Sequence, residues 1–164
     1  MTEAARQKRN ADRLKELFPA FGKRVMLVIA DLEKVQLRPR IQDAYRSPAD
    51  QLVAFNSGNS KLKFGFHNVT RADGTPESLA VDLLDDSSPL KPSTSYLLQL
   101  ASAARKRGLE TGILWGLPAN LQQGVNGAIQ AGDFQAIVKV GWDPTHLQPI
   151  GITVAQAKSG QRPG

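Results

Sequence analysis

The sequence feature that most constrains the fold is an apolar stripe between residues 21 and 36. Its members recur at the i, i+3, i+4 and i+7 spacing of one helix face: Val25, Val28, Ile29, Leu32 and Val35. The spacing predicts a buried helix. A second clear helix is predicted over residues 93–107, where Ser93 or Thr94 caps the start and Gly108 ends it.

Shorter segments between these helices favour strands. We expect strands at residues 38–46, 79–84 and 109–116, an extended segment at 134–142, and further helices at 3–17, 47–56 and 118–132. The last segment, residues 141–150, is expected to turn into an edge strand, because Pro144 and Pro149 disfavour a central one. Helices and strands mix without strict alternation, which favours an α+β fold over a doubly wound sheet.

The size and composition suit one domain. With 164 residues, we expect a single domain over residues 1–154, with an N-terminal helix within residues 1–20, and a disordered tail at 155–164. The chain has no cysteine, so disulfides and thiolate metal sites are excluded. The formal net charge of +6 would favour an anionic partner, but no basic stretch is interleaved with aromatics as in a nucleic-acid surface.

The two histidines of the chain have acidic neighbours. His146 follows Asp143 by three residues, and His67 precedes Asp82, which lies in an apolar run. Two imidazoles and two carboxylates fit a hydrolytic zinc site with three protein ligands, an open fourth position and a free carboxylate as general base. The residues alone leave open whether these distant segments meet.

The order of several motifs resembles the M15 family of zinc peptidases, which includes D-Ala-D-Ala carboxypeptidases and dipeptidases and phage L-alanyl-D-glutamate endopeptidases. That family combines a YRS-type element with a nearby glutamine, a G-x-S-K-like turn, S-x-H-x-x-G-x-A-x-D, G-L-x-W-G and a final D/E-x-x-H. The matching pieces here, in the same order, are Tyr45-Arg46-Ser47 with Gln51, Gly58-Asn59-Ser60-Lys61, Gly65-Phe66-His67, Ala80-Val81-Asp82-Leu83, Gly108-Leu109, Trp115-Gly116 and Asp143-Pro144-Thr145-His146. Each piece is weak alone, and their common order makes the resemblance specific.

The resemblance implies a small, mainly antiparallel sheet packed with helices, similar to D-Ala-D-Ala peptidases and hedgehog domains, with Zn²⁺ on the sheet. The implied zinc ligands are His67, Asp82 and His146. Asp143 would be the general base, and Arg46 would polarise the scissile carbonyl or hold the oxyanion. The implied substrate-groove residues are Tyr45, Gln51 and Ser60.

The spacing of two proposed ligands departs from the family pattern. Asp82 follows His67 by fifteen residues, whereas the family motif has seven, and Gly65 and Ser78 replace a serine and a glycine of that motif. The additional residues fall in or near 71–78, whose Asp-Gly pair and proline predict a hairpin-like turn, and we interpret this turn as a lip of the substrate groove. Asp73 is a rival ligand, but Asp82 reproduces the A-x-D-L pattern.

The expected function is hydrolysis of the peptidoglycan stem peptide by a monomeric phage-type endolysin, with the L-alanyl-D-glutamate bond as the target. A D,D-carboxypeptidase or D-Ala-D-Ala dipeptidase is the enzymatic alternative, and a catalytically silent wall-binding domain is the alternative of another class. The polar N-terminal segment lacks the apolar core of a signal peptide. We therefore expect synthesis in the cytoplasm and action on the wall after release through a holin-type pore or lysis, without nucleic acid binding or membrane insertion.

Overall fold

A four-stranded antiparallel sheet organises the molecule, seen here in a computed structural model that describes all residues, 1–164. The strands are β1 (Pro39–Asp43), β2 (Val81–Asp85), β3 (Leu109–Gly112) and β4 (Asp143–Pro149). The helices are α1 (Glu3–Leu14), α2 (Pro19–Lys34), α3 (Pro48–Asn56), α4 (Thr94–Lys106), α5 (Ala119–Ala131) and α6 (Val154–Lys158), with a 3₁₀ turn at Phe66–Asn68. The α+β class expected from the sequence is confirmed.

Helices α2 and α4 pack as their sequences predict, although α2 begins at Pro19 rather than at residue 21. Ser93 accepts a hydrogen bond from the Tyr96 N–H at the start of α4, as an N-cap does. The stripe of α2 lies in the core and packs beside α4, except for Val35. Val35 is 55% exposed, because α2 ends at Lys34 and the chain turns at Gln36, whose φ is 65°.

The sheet order β1-β2-β4-β3 corrects the expectation that the last strand lies at an edge. Strand β4 is interior and pairs with both β2 and β3. Its prolines are tolerated because Pro149 is its last residue and Pro144 lies where the register against β3 shifts. Pairing with β2 involves only His146 and Leu147.

Two other segments, residues 134–142 and residues 155–164, depart from the structure expected from the sequence. Residues 134–140 alternate between half-buried and exposed, but they begin with a turn at 134–135 and form no strand. The expectation of disorder from residue 155 onward is wrong, since Thr153 caps α6, Ala157 is buried, and Arg162 bonds to Glu77. No helix combines the length and apolar character needed to cross a membrane.

Candidate metal centre

The centre is built on a cross-strand pair. Asp82 of β2 lies directly opposite His146 of β4 in the antiparallel register. The flanking residues Leu83 and Leu147 are fully buried in the core, so strand alternation sends Asp82 and His146 to the other face of the sheet. The central sheet thus fixes two of the predicted ligands relative to one another.

The third residue, His67, comes from the 3₁₀ turn rather than from the sheet. Its Nδ1 lies 2.6 Å from the backbone oxygen of Ala44. Because a carbonyl oxygen only accepts, Nδ1 carries the proton and Nε2 is left with a free lone pair. The turn is held to the preceding segment by the Arg46 N–H, which donates to the His67 carbonyl at 2.9 Å, and by the Asn68 amide, which donates to the Arg46 carbonyl.

The three side chains converge as a metal-binding group would. The Nε2 of His67 lies 3.5 Å from Asp82 Oδ2, and the Nδ1 of His146 lies 3.3 Å from Asp82 Oδ1. One donor atom from each residue can be chosen so that all lie within 4.8 Å of one another. Two imidazole nitrogens and one carboxylate oxygen form a set that suits zinc and leaves a position open.

The Asp82 carboxylate and the neighbouring His67 imidazole shift each other's pKa values towards the charged forms. Burial alone would raise the pKa of Asp82, but the adjacent imidazoles of His146 and His67 lower it well below its ordinary range. Burial would lower the pKa of His67, and the neighbouring Asp82 carboxylate raises it instead. The carboxylate therefore stays ionised, which is the form that coordinates a metal ion.

A hydrogen-bonded chain behind His146 was not predicted from the sequence. The Nε2 of His146 lies 3.1 Å from Gln148 Oε1, and Gln148 Nε2 donates to Glu110 Oε1 at 2.8 Å. Since the Gln148 amide donates to Glu110, its oxygen faces His146 and must accept. This chain leaves the Nδ1 lone pair of His146 directed at the site. A signal was present in the sequence, because Gln148 lies two residues after His146 on one strand face.

Asp143 and Arg46, the predicted catalytic residues, both line the pocket over the three converging side chains. Asp143 Oδ2 is 3.9 Å from His146 Nδ1. Burial raises the pKa of Asp143, with the Asp82 carboxylate adding to that effect and His146 opposing it. The Arg46 guanidinium bonds to Gln51 at 3.1 Å and to Asp43 at 3.3 Å.

The backbone around Asp143 is held by close packing against the end of β3. A Cβ added to Gly112 would overlap the carbonyl oxygen of Asp143, and one added to Gly141 would overlap the backbone of Trp115. The Gly141 N–H also donates to the Ile113 carbonyl. Two glycines therefore allow the two segments to approach closely enough to place Asp143 at the pocket.

The predicted groove residues are placed in three different ways. Gln51 is buried, and its amide connects Arg46 to the turn at residues 60–62 through bonds to Ser60 Oγ (2.8 Å) and the Leu62 carbonyl (2.6 Å). Ser60 lines the pocket beside it. Tyr45 is half-buried outside the pocket lining, and its backbone N–H donates to Glu16, so its substrate contact stays a prediction without supporting geometry.

The inserted segment forms the expected turn but lies away from the pocket. Arg71 and Thr75 are joined by a backbone hydrogen bond, and the exposed Asp73 accepts bonds from the Thr75 N–H (3.0 Å) and hydroxyl (2.8 Å). Asp82, not Asp73, is therefore the carboxylate that meets the histidines. Interpreting this segment as a lip of the groove is wrong, because its Glu77 pairs with Arg162 and the pocket is lined by other residues.

An aromatic wall closes one side of the pocket. The Trp115 ring lies 5.3 Å from the ring of His146 and 5.3 Å from that of Trp142, centroid to centroid. Trp142 is 54% exposed, and the ammonium of Lys61 lies 4.6 Å from its ring centroid. Neither Trp142 nor Lys61 was expected to take part in the site, although Lys61 belongs to the G-x-S-K-like turn, because an exposed aromatic and an exposed lysine have no periodic pattern to distinguish them.

Neither a protein-family model nor a curated protein matches the sequence. Among solved structures, the chain is similar to an L-Ala D-Glu endopeptidase of Serratia marcescens, ChiX, with a TM-score of 0.52 and 19% sequence identity over 86% of each chain. Likeness at this level of identity establishes a shared fold. The chain therefore has a fold related to that of a peptidase, with a His/Asp/His group formed by two sheet residues and one residue of the adjacent 3₁₀ turn.

Proposed function

We propose that the protein is a zinc-dependent peptidase of the M15 type that hydrolyses the peptidoglycan stem peptide at the L-alanyl-D-glutamate bond. One observation carries the proposal. His67, Asp82 and His146 meet in a pocket that Asp143 and Arg46 also line, on a fold shared with an L-Ala D-Glu endopeptidase. These five residues are the ligands, general base and carbonyl-binding cation that the motif order implies.

The donor set supports zinc as the bound ion. Two neutral imidazoles and one ionised carboxylate are a usual ligand set of catalytic zinc, and the site opens to a pocket where water and substrate can enter. The partners of the two rings, Ala44 and Gln148, leave on each ring the nitrogen that faces Asp82 free to coordinate. Zinc, when bound, supplies Lewis acidity and lowers the pKa of water to about 7.

The protein's own groups account for the proton movements of the proposed hydrolysis. Asp143 Oδ2 takes a proton from water as the water oxygen bonds to the scissile carbonyl carbon. The carbon–nitrogen bond then breaks, and Asp143 returns the proton to the leaving amine. Arg46, whose guanidinium is held by Gln51 and Asp43, stabilises the negative charge on the carbonyl oxygen.

The biological setting that fits this activity is the bacterial wall. The formal net charge of +6 would concentrate the protein at an anionic envelope, with binding that weakens as salt rises. We propose that it acts there as a phage-type endolysin and that it works as a monomer.

The test uses purified peptidoglycan sacculi and the zinc-loaded protein. We expect release of fragments that carry a new amino terminus on D-glutamate, detected by mass spectrometry, with loss of activity in a chelator and recovery on addition of Zn²⁺. Asp143→Asn should lower kcat by about 10²- to 10⁴-fold while zinc binding persists. Full activity in Asp143→Asn would exclude the proposed role of this carboxylate.

The alternatives give different products in the same assay. Release of D-alanine from the sacculi, or cleavage of the free D-Ala-D-Ala dipeptide, would replace the endopeptidase with a carboxypeptidase or dipeptidase. Binding of zinc and sacculi without any fragment would instead identify a catalytically silent wall-binding domain.

A further inference from the structure

The pocket contains one cation without an anionic partner. Two basic side chains line it, Arg46 and Lys61. The Arg46 guanidinium is already paired with Asp43, whereas Lys61 forms no ion pair with any carboxylate of the chain. Its exposed ammonium lies instead over the indole of Trp142, 4.6 Å from the ring centroid. The charge of Lys61 is therefore free to meet an anionic group that enters the pocket.

The aromatic wall places this charge beside the candidate metal centre. From Lys61 the contacts run through Trp142 and Trp115 to His146, with successive ring centroids 5.3 Å apart. The cation and the three converging side chains line the same pocket. A substrate whose scissile bond lies at the metal centre would thus bring its neighbouring groups to Lys61.

The turn that carries Lys61 is held from both sides. The buried Gln51 amide donates to Ser60 Oγ and to the Leu62 carbonyl, the residues immediately before and after Lys61. The oxygen of the same amide accepts from Arg46. One buried side chain therefore fixes the relative positions of both pocket cations, as expected if they act on one substrate.

We propose that Lys61 is a specificity-determining residue that binds a free carboxylate on the substrate residue next to the scissile bond. The inference rests on the proposed function and names the group that the site recognises. In a stem peptide, that group is the α-carboxylate of D-glutamate, which remains free where the chain continues through the γ-carbonyl. An ammonium pairs with this carboxylate by a charge-assisted hydrogen bond, and the corresponding carboxamide offers no charge to pair with.

The experiment compares two peptides that differ only at this group: one with D-glutamate and one with D-isoglutamine after L-alanine. We expect the zinc-loaded wild type to prefer the carboxylate peptide by about tenfold in kcat/KM. Lys61→Met should bring that ratio close to one, and Lys61→Arg should restore part of it. Lys63→Met is the matched control, because Lys63 lies over Phe55 outside the pocket lining, and it should retain the wild-type ratio.

Equal cleavage of both peptides by the wild type, or an unchanged preference in Lys61→Met, would overturn the proposal. Calorimetric titration of the two peptides into the same proteins separates this inference from the proposed function. If neither peptide is cleaved, the proposed function fails. A carboxylate preference in binding that disappears in Lys61→Met and persists in Lys63→Met would still support Lys61 as the recognition site, and its absence would reject it.

Discussion

The two faces of the central sheet use the same strands for opposite purposes. Towards the helices, Leu83 and Leu147 are fully buried among apolar side chains. Towards the pocket, their neighbours Asp82 and His146 contact each other and keep part of their surface open to water. Alternation along a strand allows two adjacent residues to serve the core and the site separately.

Substitutions on the two faces should therefore have different consequences. Substitutions on the helix side remove buried apolar area and leave a cavity, so their main cost is in the free energy of unfolding. Substitutions on the pocket side remove ligands or the hydrogen bonds that orient them, so their main cost is in metal affinity.

The largest effects should come from two neighbouring positions. Asp82→Asn removes the ionised ligand. Losing a residue that only supports a ligand typically weakens metal binding by about 10- to 100-fold, and the loss of zinc affinity in Asp82→Asn should be larger. Leu83→Ala should lower the free energy of unfolding by about 2–5 kcal/mol while each folded chain still binds one zinc ion. Competition titration against a chelator measures the first quantity, and urea unfolding of the metal-free protein measures the second.

Each variant of this pair is the control for the other. If Asp82→Asn keeps the wild-type zinc affinity, Asp82 is not a ligand. If Leu83→Ala loses zinc binding without losing stability, the separation of the two faces is wrong.

A smaller effect on zinc affinity is expected at Gln148, which contacts the ring of His146. Gln148→Leu removes the acceptor for His146 Nε2–H and should reduce zinc affinity by about 10- to 100-fold. The ring would lose its single tautomer in the metal-free protein, which ¹⁵N imidazole chemical shifts report directly. Glu110→Gln is the milder comparison, because its amide oxygen can still accept from Gln148 and hold that side chain.

Two results would count against the role of the hydrogen bonds that link His146 to Gln148 and Glu110. An unchanged tautomer in Gln148→Leu would mean that another group orients the ring. A larger loss of affinity in Glu110→Gln than in Gln148→Leu would mean that Glu110 acts on the site by another route.

Much of the fold was predictable because local signals determine it. The stripe of α2 and the cap of α4 need only the 3.6-residue period and a serine to be recognised. The interior position of β4 was missed because it depends on long-range pairing, which overrides the unfavourable prolines at 144 and 149. The end of α2 was also placed too late, at residue 36, whereas the helix ends at Lys34 and leaves Val35 exposed.

The candidate site likewise combines residues that the sequence predicts with a contact that it does not predict. The convergence of His67, Asp82 and His146 was predicted through motif order, although fifteen residues separate the first two, because a turn can absorb an insertion without moving its ends. The contact between Lys61 and Trp142 was missed because it arises only when the turn after α3 meets the segment before β4. Contacts of this kind depend on tertiary packing and leave no spacing in the sequence.

The smallest effect is expected at Asp73, the rival carboxylate. Asp73→Ala should leave zinc affinity and hydrolysis unchanged, because its side chain is occupied with Thr75 in an exposed turn. Hydrogen bonds from Thr75 lower the pKa of Asp73, so its contribution to stability is present above the ordinary carboxyl range and is lost as pH falls through the lowered pKa. The small difference in Tm between wild type and variant should therefore shrink on acidification, as measured by thermal unfolding across pH. A drop in zinc affinity in Asp73→Ala comparable to that in Asp82→Asn would transfer the ligand role to the turn and overturn the placement of the insertion.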